Sequence, residues 1–234
     1  MTKSNEAAYN QIVRRLKSYC FFGTNSQYCY LLVLLARKKE NPELTEKHKI
    51  EKCNRYILHT EEDVEKSVTQ MIMQAEQNPQ IKYRAYVSVN KRDLRKAIPA
   101  FQHKVTDIVD QLFRNNSEAH TTAARLGSEW KSVLAQQHCK GERRILIDID
   151  ISNKTEEGQK FFAEALDLIS EYKYPDEDYG PALYAHWPTL NGYAIVTAGF
   201  DVEGLLGEDK RVEIKKDDYL YLDLINVEQP EEGA

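Results

Sequence analysis

The stretch from Arg143 to Asn153 constrains this chain most. It reads Arg-Arg-Ile-Leu-Ile-Asp-Ile-Asp-Ile-Ser-Asn and alternates for a full strand length, as a β-strand with two unlike faces must. Ile145, Ile147, Ile149 and Ile151 fall on one face, and Leu146, Asp148, Asp150 and Ser152 on the other. Carboxylates at i and i+2 of one strand point the same way, about 7 Å apart along it. Left alone they repel, and a divalent cation is the usual remedy. A half-buried strand whose polar face is simply wet accounts for the same pattern. From these residues both readings stay open.

The flanking sequence alternates between helical and strand periods. Ala8, Ile12, Leu16 and Tyr19 predict an amphipathic helix over 4–19, and the apolar run from Tyr28 to Ala36 a buried strand closed by Arg37-Lys38-Lys39. Residues 40–54 read as a loop and 55–59 as a short strand. Thr60 is the expected N-cap of a helix through Val64, Val68, Met71 and Ile72, stopped by Asn78-Pro79. From Tyr83 to Val89 the chain alternates again, with Arg84, Tyr86 and Ser88 opposite Tyr83, Ala85 and Val87. A helical insert follows over about 90–137, in which Pro99 kinks or restarts a helix and 118–136 forms another.

Beyond the central strand, Asn153-Lys-Thr-Glu starts a helix carrying Phe161, Phe162, Ala165, Leu168 and Ile169. A hairpin is expected from 182–187 and 193–197 about Pro188-Thr-Leu-Asn-Gly, since Asn-Gly between apolar runs is a strong turn signal. A short helix or turn at 201–209 precedes a last strand pair, 212–214 and 219–226, about Lys215-Lys-Asp-Asp. These elements predict an α/β (α+β) fold: an RRM- or ferredoxin-like mixed sheet with flanking helices and a helical insert. The expected organisation is a single domain over 1–226, with a disordered acidic tail at 227–234.

Composition narrows the function classes. The apolar fraction of 41% and charged fraction of 29% are those of an ordinary soluble protein. A net charge of -5 gives no global attraction to nucleic acid or anionic lipid, so any such site is local. The longest apolar run, Cys29 to Ala36, is too short to span a bilayer, and Met-Thr-Lys-Ser-Asn-Glu lacks a signal peptide's apolar core. Four scattered cysteines and six scattered histidines make neither a zinc site nor a disulfide framework. The expectation is a cytoplasmic protein without a membrane partner, a viral protein in a host cytoplasm included.

Several residues in the C-terminal half carry chemistry. Asp148 and Asp150 lie on its first strand, His186 near the end of the next, and Asp223 on the last, on the face of Tyr219, Tyr221 and Ile225. An acid in the middle of an apolar strand wants a cation, a metal or water. Asp-Ile-Asp on a strand, the turn Thr189-Leu-Asn-Gly-Tyr-Ala194 and a late strand with one aspartate together resemble the catalytic core of the archaeo-eukaryotic primase superfamily. Small phage-encoded proteins with a histidine-bearing Thr-x-Asn-Gly-Tyr hairpin are similar too. The resemblance covers 143–226.

It implies two-metal nucleotidyl transfer with Mg²⁺ or Mn²⁺ held by Asp148, Asp150 and Asp223. Thr189, Asn191 and His186 would lie at the nucleotide. Where the family has its phosphate-contacting histidine this chain has Ala194, so phosphate binding is expected from Lys91, Arg92, Arg95, Arg143 or Arg144. Loss of catalysis with retention of the fold is the alternative that this departure opens. A non-catalytic module binding nucleic acid or nucleotides, with Tyr219 and Tyr221 as stacking platforms, is a second reading. A protein-binding accessory factor, contacting its partner through the helical insert, is the third.

Overall fold

The computed structural model describes residues 2–23, 27–42, 53–114, 117–171, 183–199, 206 and 209–226. The element order is α1 (Lys3–Tyr19), β1 (Tyr28–Leu35), β2 (Cys53–Leu58), α2 (Glu62–Glu76), β3 (Tyr83–Ser88), β4 (Arg92–Asp93), α3 (Leu94–Phe113), α4 (Ser117–Ala123) and α5 (Leu126–Leu134). Then come β5 (Arg144–Ile149), α6 (Glu156–Glu171), β6 (Leu183–Pro188), β7 (Tyr193–Ala198), β8 (Val212–Lys215) and β9 (Tyr219–Ile225). The fold is mixed α and β, with the strands in two antiparallel sheets.

The first sheet runs β2-β1-β3-β9, with β4 paired to the start of β1. The apolar stripes of α1 and α2 cover one of its faces: Ile12, Leu16, Val68 and Met71 pack onto Leu32, Leu34, Ala85 and Val87. Each fully buried side chain of this size contributes about 2 kcal/mol. The other face is divided. The helical insert covers one end, where Ala97, Val133 and Leu134 meet Cys29 and Leu31. The end that carries Val33, Arg55, Arg84 and Tyr86 stays open.

The second sheet runs β6-β7-β5-β8 with every neighbour antiparallel. The helix α6 covers the face of Ile145, Ile147, Ile149 and Ile195. On the opposite face Leu146, Ala194 and Val196 join the core cluster of the first sheet. The Trp187 indole N–H donates to the Tyr221 carbonyl across the join, at 2.7 Å. Asn90, fully buried, ties the sheets a second time. Its Oδ1 accepts from the Arg144 N–H at 2.7 Å, and its Nδ2 donates to the Arg144 carbonyl and to Asp217 Oδ1.

Several local expectations are corrected. Thr60 does not cap α2 through its side chain; the Asp63 carboxylate accepts from the His59 and Thr60 N–H groups instead, each at 2.9 Å. Pro99 does not start a new helix; it sits inside α3, which runs through it at the loss of the one ladder bond its N–H would make. The single helix expected over 118–136 is two, α4 and α5. The last two strands do not pair: β8 joins β5 of the second sheet, while β9 joins β3 of the first. The expected tail at 227–234 and most of the expected short helix or turn at 201–209 lie outside the described residues. Among those described, no helix is long and apolar enough to cross a membrane.

Candidate functional site

A cleft of about 760 Å³ opens between the two sheets, and its walls differ in charge. The second sheet supplies the acidic wall. Asp148 extends from β5 and Asp150 from the residue just beyond its end, and both line the cleft. Asp148 stands opposite Ala194 on β7 and Glu213 on β8, and Glu213 lines the cleft beside it. The β6–β7 turn closes one end with Thr189, Leu190, Asn191 and Gly192. Gly192 is required there, because a Cβ would lie 2.1 Å from the Ile149 carbonyl oxygen. Asn153 holds the turn by donating from Nδ2 to the Thr189 carbonyl at 2.8 Å.

The acidic wall carries its own cation. Lys215 Nζ lies 2.9 Å from Asp148 Oδ2, 3.2 Å from Glu213 Oε2 and 3.7 Å from Asp218 Oδ2. Burial works to lower the pKa of the ammonium, but the hydrogen bond and charge of Asp148 outweigh it, and the pKa is raised.

The first sheet supplies the basic wall: Arg37 and Lys39 just beyond β1, Arg55 on β2 and Arg84 on β3. Arg84 Nη2 pairs with Glu40 in a contact that leaves both side chains largely buried. Its guanidinium lies 6.0 Å from the Tyr221 ring centre. The Nε atoms of Arg55 and Arg84 are buried without a hydrogen-bond partner. Such donors are costly to leave unmet, and an acceptor entering the cleft relieves that cost. Between the walls, Val33, Leu35 and Leu146 give an apolar floor.

Asp223 and His186 lie elsewhere. Asp223 is absent from the cleft lining. A β-bulge between Ala85 and Tyr86 sets Tyr221 opposite Tyr86 but Asp223 opposite Ala85, whose side chain belongs to the helix-covered core. One extra residue thus inverts the face beyond Tyr221. The charged neighbour of Asp223 is Arg15 of α1, and burial pushes its carboxyl above the usual range, only partly offset by the Leu224 N–H and Arg15. His186 is exposed on the α6 side of its sheet, its ring 5.9 Å from that of Phe162. Tyr219 and Tyr221 both line the cleft; Tyr221 is buried with its ring edge-on to Tyr86, and Tyr219 is half-buried beside the helical insert.

None of the expected phosphate-binding cations lines the cleft. Arg144 shares a β5 face with Asp148 but is buried between Tyr19 and Tyr184, 5.2 and 4.1 Å from their ring centres. Arg92 is fully buried and pairs with Asp217 at 3.1 Å. Lys91 sits 5.3 Å over the Phe21 ring, and Arg143 and Arg95 face solvent. The charged cleft-lining residues not anticipated are Arg37, Lys39, Arg55, Arg84, Glu213, Lys215 and Asp218. A signal for some was present: Arg84 and Tyr86 share one strand face, and Glu213 and Lys215 another.

Among the described residues no three His, Cys, Asp or Glu side chains come together closely enough to hold a metal ion. The described residues therefore present no complete cage. Asp148 and Asp150 fit the smaller requirement of Mg²⁺ or Mn²⁺ bound through one or two carboxylates, the rest of the shell being water and substrate phosphate. No protein-family model, no curated protein and no solved structure matches this chain.

Proposed function

We propose that the cleft binds a nucleoside triphosphate together with Mg²⁺ or Mn²⁺, and that it serves metal-dependent nucleotidyl transfer of the primase-polymerase kind on nucleic acid. The observation that carries this reading is the opposition of the walls, with Asp148 and Asp150 facing Arg37, Lys39, Arg55 and Arg84 across an apolar floor. A polyphosphate with a cation is the ligand whose charges match both sides. Arg84 and Arg55 would donate their unmet Nε–H groups to phosphate oxygens. Val33, Leu35 and Leu146 would exclude water beside the base. Thr189 and Asn191 lie at the turn that bounds the ligand on the Asp150 side. Asp148 and Asp150 act as ligands, and Glu213 takes the place of Asp223 as the third carboxylate near them. The cation, when bound, supplies charge neutralisation at the phosphates and a lowered pKa for an attacking hydroxyl.

Two observations favour a second reading, nucleotide binding without turnover. Ala194, not histidine, stands beside Asp148, and Lys215 already neutralises that carboxylate. The experiment that separates the two follows labelled nucleotide incorporation on single-stranded DNA and RNA templates with Mn²⁺. Wild-type incorporation that Asp148→Asn and Asp150→Asn abolish supports transfer. Metal-dependent nucleotide binding with no incorporation on any template leaves the binding reading and removes the enzymatic one.

A further inference from the structure

Three of the cations that do not reach the cleft, Lys91, Arg95 and Arg143, stay at the surface around the start of α3 and the entry to β5. Lys91 and Gly141 are joined by a backbone hydrogen bond of 2.8 Å. The Lys96 ammonium donates to the Lys140 carbonyl at 2.5 Å, and Lys140 in turn to the Lys216 carbonyl at 3.5 Å. Arg95 is the neighbour of Lys96 on α3, and Arg143 follows Glu142 at the entry to β5. Arg95, Lys96, Arg143 and Lys216 are exposed, and Lys91 and Lys140 partly so.

The acids threaded among them are turned inward. Asp217 is held by Arg92 and Asn90, Asp93 caps α3, accepts from Gln27 and lies 3.6 Å from Arg95 Nε, and Glu142 accepts from the Lys91 N–H and lies 3.1 Å from Arg144 Nε. Asp93 and Asp217 retain 5% and 8% of their side-chain exposure. The surface is left with a patch of six cations on a chain whose net charge is -5, Lys91, Lys96, Lys140 and Lys216 connected by these contacts and Arg95 and Arg143 beside them in the chain. Local charge of this sign against the global balance is what a polyanion reads.

We infer that this patch is the docking surface for the phosphodiester backbone of a single nucleic-acid strand. The choice of a strand rests on the reading of the cleft. The β8–β9 turn places Lys216, in the patch, next to Lys215, in the cleft, so a strand lying on the first has its end within reach of the second. Phe21, 71% exposed under the Lys91 ammonium, offers one aromatic face at the patch edge.

The test is fluorescence anisotropy of a labelled single-stranded oligonucleotide with the full chain, over a salt series. Six phosphate contacts weaken binding by about 300-fold between about 50 and 200 mM salt, and three contacts by about 20-fold. Wild type is expected to follow the steeper dependence. Lys96→Glu/Arg143→Glu/Lys216→Glu is expected to lose at least about tenfold in affinity at low salt and to follow the shallower one. The neutral variant Lys96→Gln/Arg143→Gln is expected to fall between, which guards against a folding defect in the first.

Nucleotide binding by the cleft stays unchanged in both variants. Patch-dependent strand binding without nucleotide binding supports the docking surface while removing the cleft reading. Three results overturn the inference: no strand binding by wild type at low salt, variants that bind as wild type does, or patch-dependent binding to phosphatidylserine vesicles with none to the oligonucleotide.

Discussion

Lys215 is the most exacting place to test how the acidic wall works. Its ammonium sits within 3.7 Å of three carboxylates, where a bound divalent ion would also lie. Lys215→Met keeps the length of the side chain and removes the charge. Two charges on a metal about 4 Å from the ammonium repel it by about 2 kcal/mol at the dielectric of water. The water value suits this pair, because Asp148 keeps 39% of its side-chain exposure and Glu213 71%. Release of the ion pairs adds no more than about 1 kcal/mol at such exposure. Mn²⁺ is therefore expected to bind the variant about 30-fold more tightly, measured by the loss of the free-ion signal in electron paramagnetic resonance. The melting temperature of the variant should also rise more on adding Mn²⁺ than that of wild type. Equal or weaker Mn²⁺ binding by the variant refutes the idea that Lys215 occupies the cation's place.

Three other outcomes follow from the geometry. Asp223→Asn should raise the melting temperature at pH 7 and leave Mn²⁺ binding intact. The Asp223 pKa is raised in the fold, so its charged form costs stability at neutral pH, and the gain fades as pH falls through the raised folded pKa and is gone below the unfolded value of 3.8; a lower melting temperature at pH 7 would show the carboxylate to be stabilising. Asn90→Ala leaves the Arg144 N–H and carbonyl unmet in the interior and should cost about 2–4 kcal/mol in urea unfolding; a loss under about 1 kcal/mol would deny the junction its role. Thiol labelling of the native chain should modify Cys53 alone and be slowed by nucleotide with Mn²⁺. Cys53 lines the cleft, whereas Cys20, Cys29 and Cys139 are buried and burial pushes the Cys29 thiol up to about 12; a second fast thiol would contradict that core.

Much of the fold was legible because its signals are local. The alternation around Ile145–Asp150 fixes which face meets a helix, and Asn191-Gly192 marks its hairpin through a turn that only glycine tolerates. The helices α1 and α2 follow from apolar stripes that bury themselves as the period demands. What failed was decided at long range. Lys215-Lys-Asp-Asp looks like a hairpin turn, yet β8 and β9 leave it for different sheets, a choice made by the strand edges each finds to pair with. Asp223 was assigned to the wrong face because a bulge cannot be seen in the alternation it breaks.

Asp148, Asp150, Thr189 and Asn191 reach the cleft because the second sheet is built from contiguous sequence. The basic wall comes from strands about a hundred residues earlier, and which of many arginines faces it depends on how the sheets stack. Arg144 shows the limit: parity places it on the face of Asp148, but only the packing of Tyr19 and Tyr184 shows it to be interior.

The most direct test of the cleft is calorimetric titration of the full chain with a nucleoside triphosphate, with and without Mn²⁺, against Asp148→Ala/Asp150→Ala and Arg55→Ala. The account predicts nucleotide binding by wild type that requires Mn²⁺, is lost in the double aspartate variant and is weakened in Arg55→Ala. Nucleotide binding unaffected by all of these changes, or none by wild type, would contradict it.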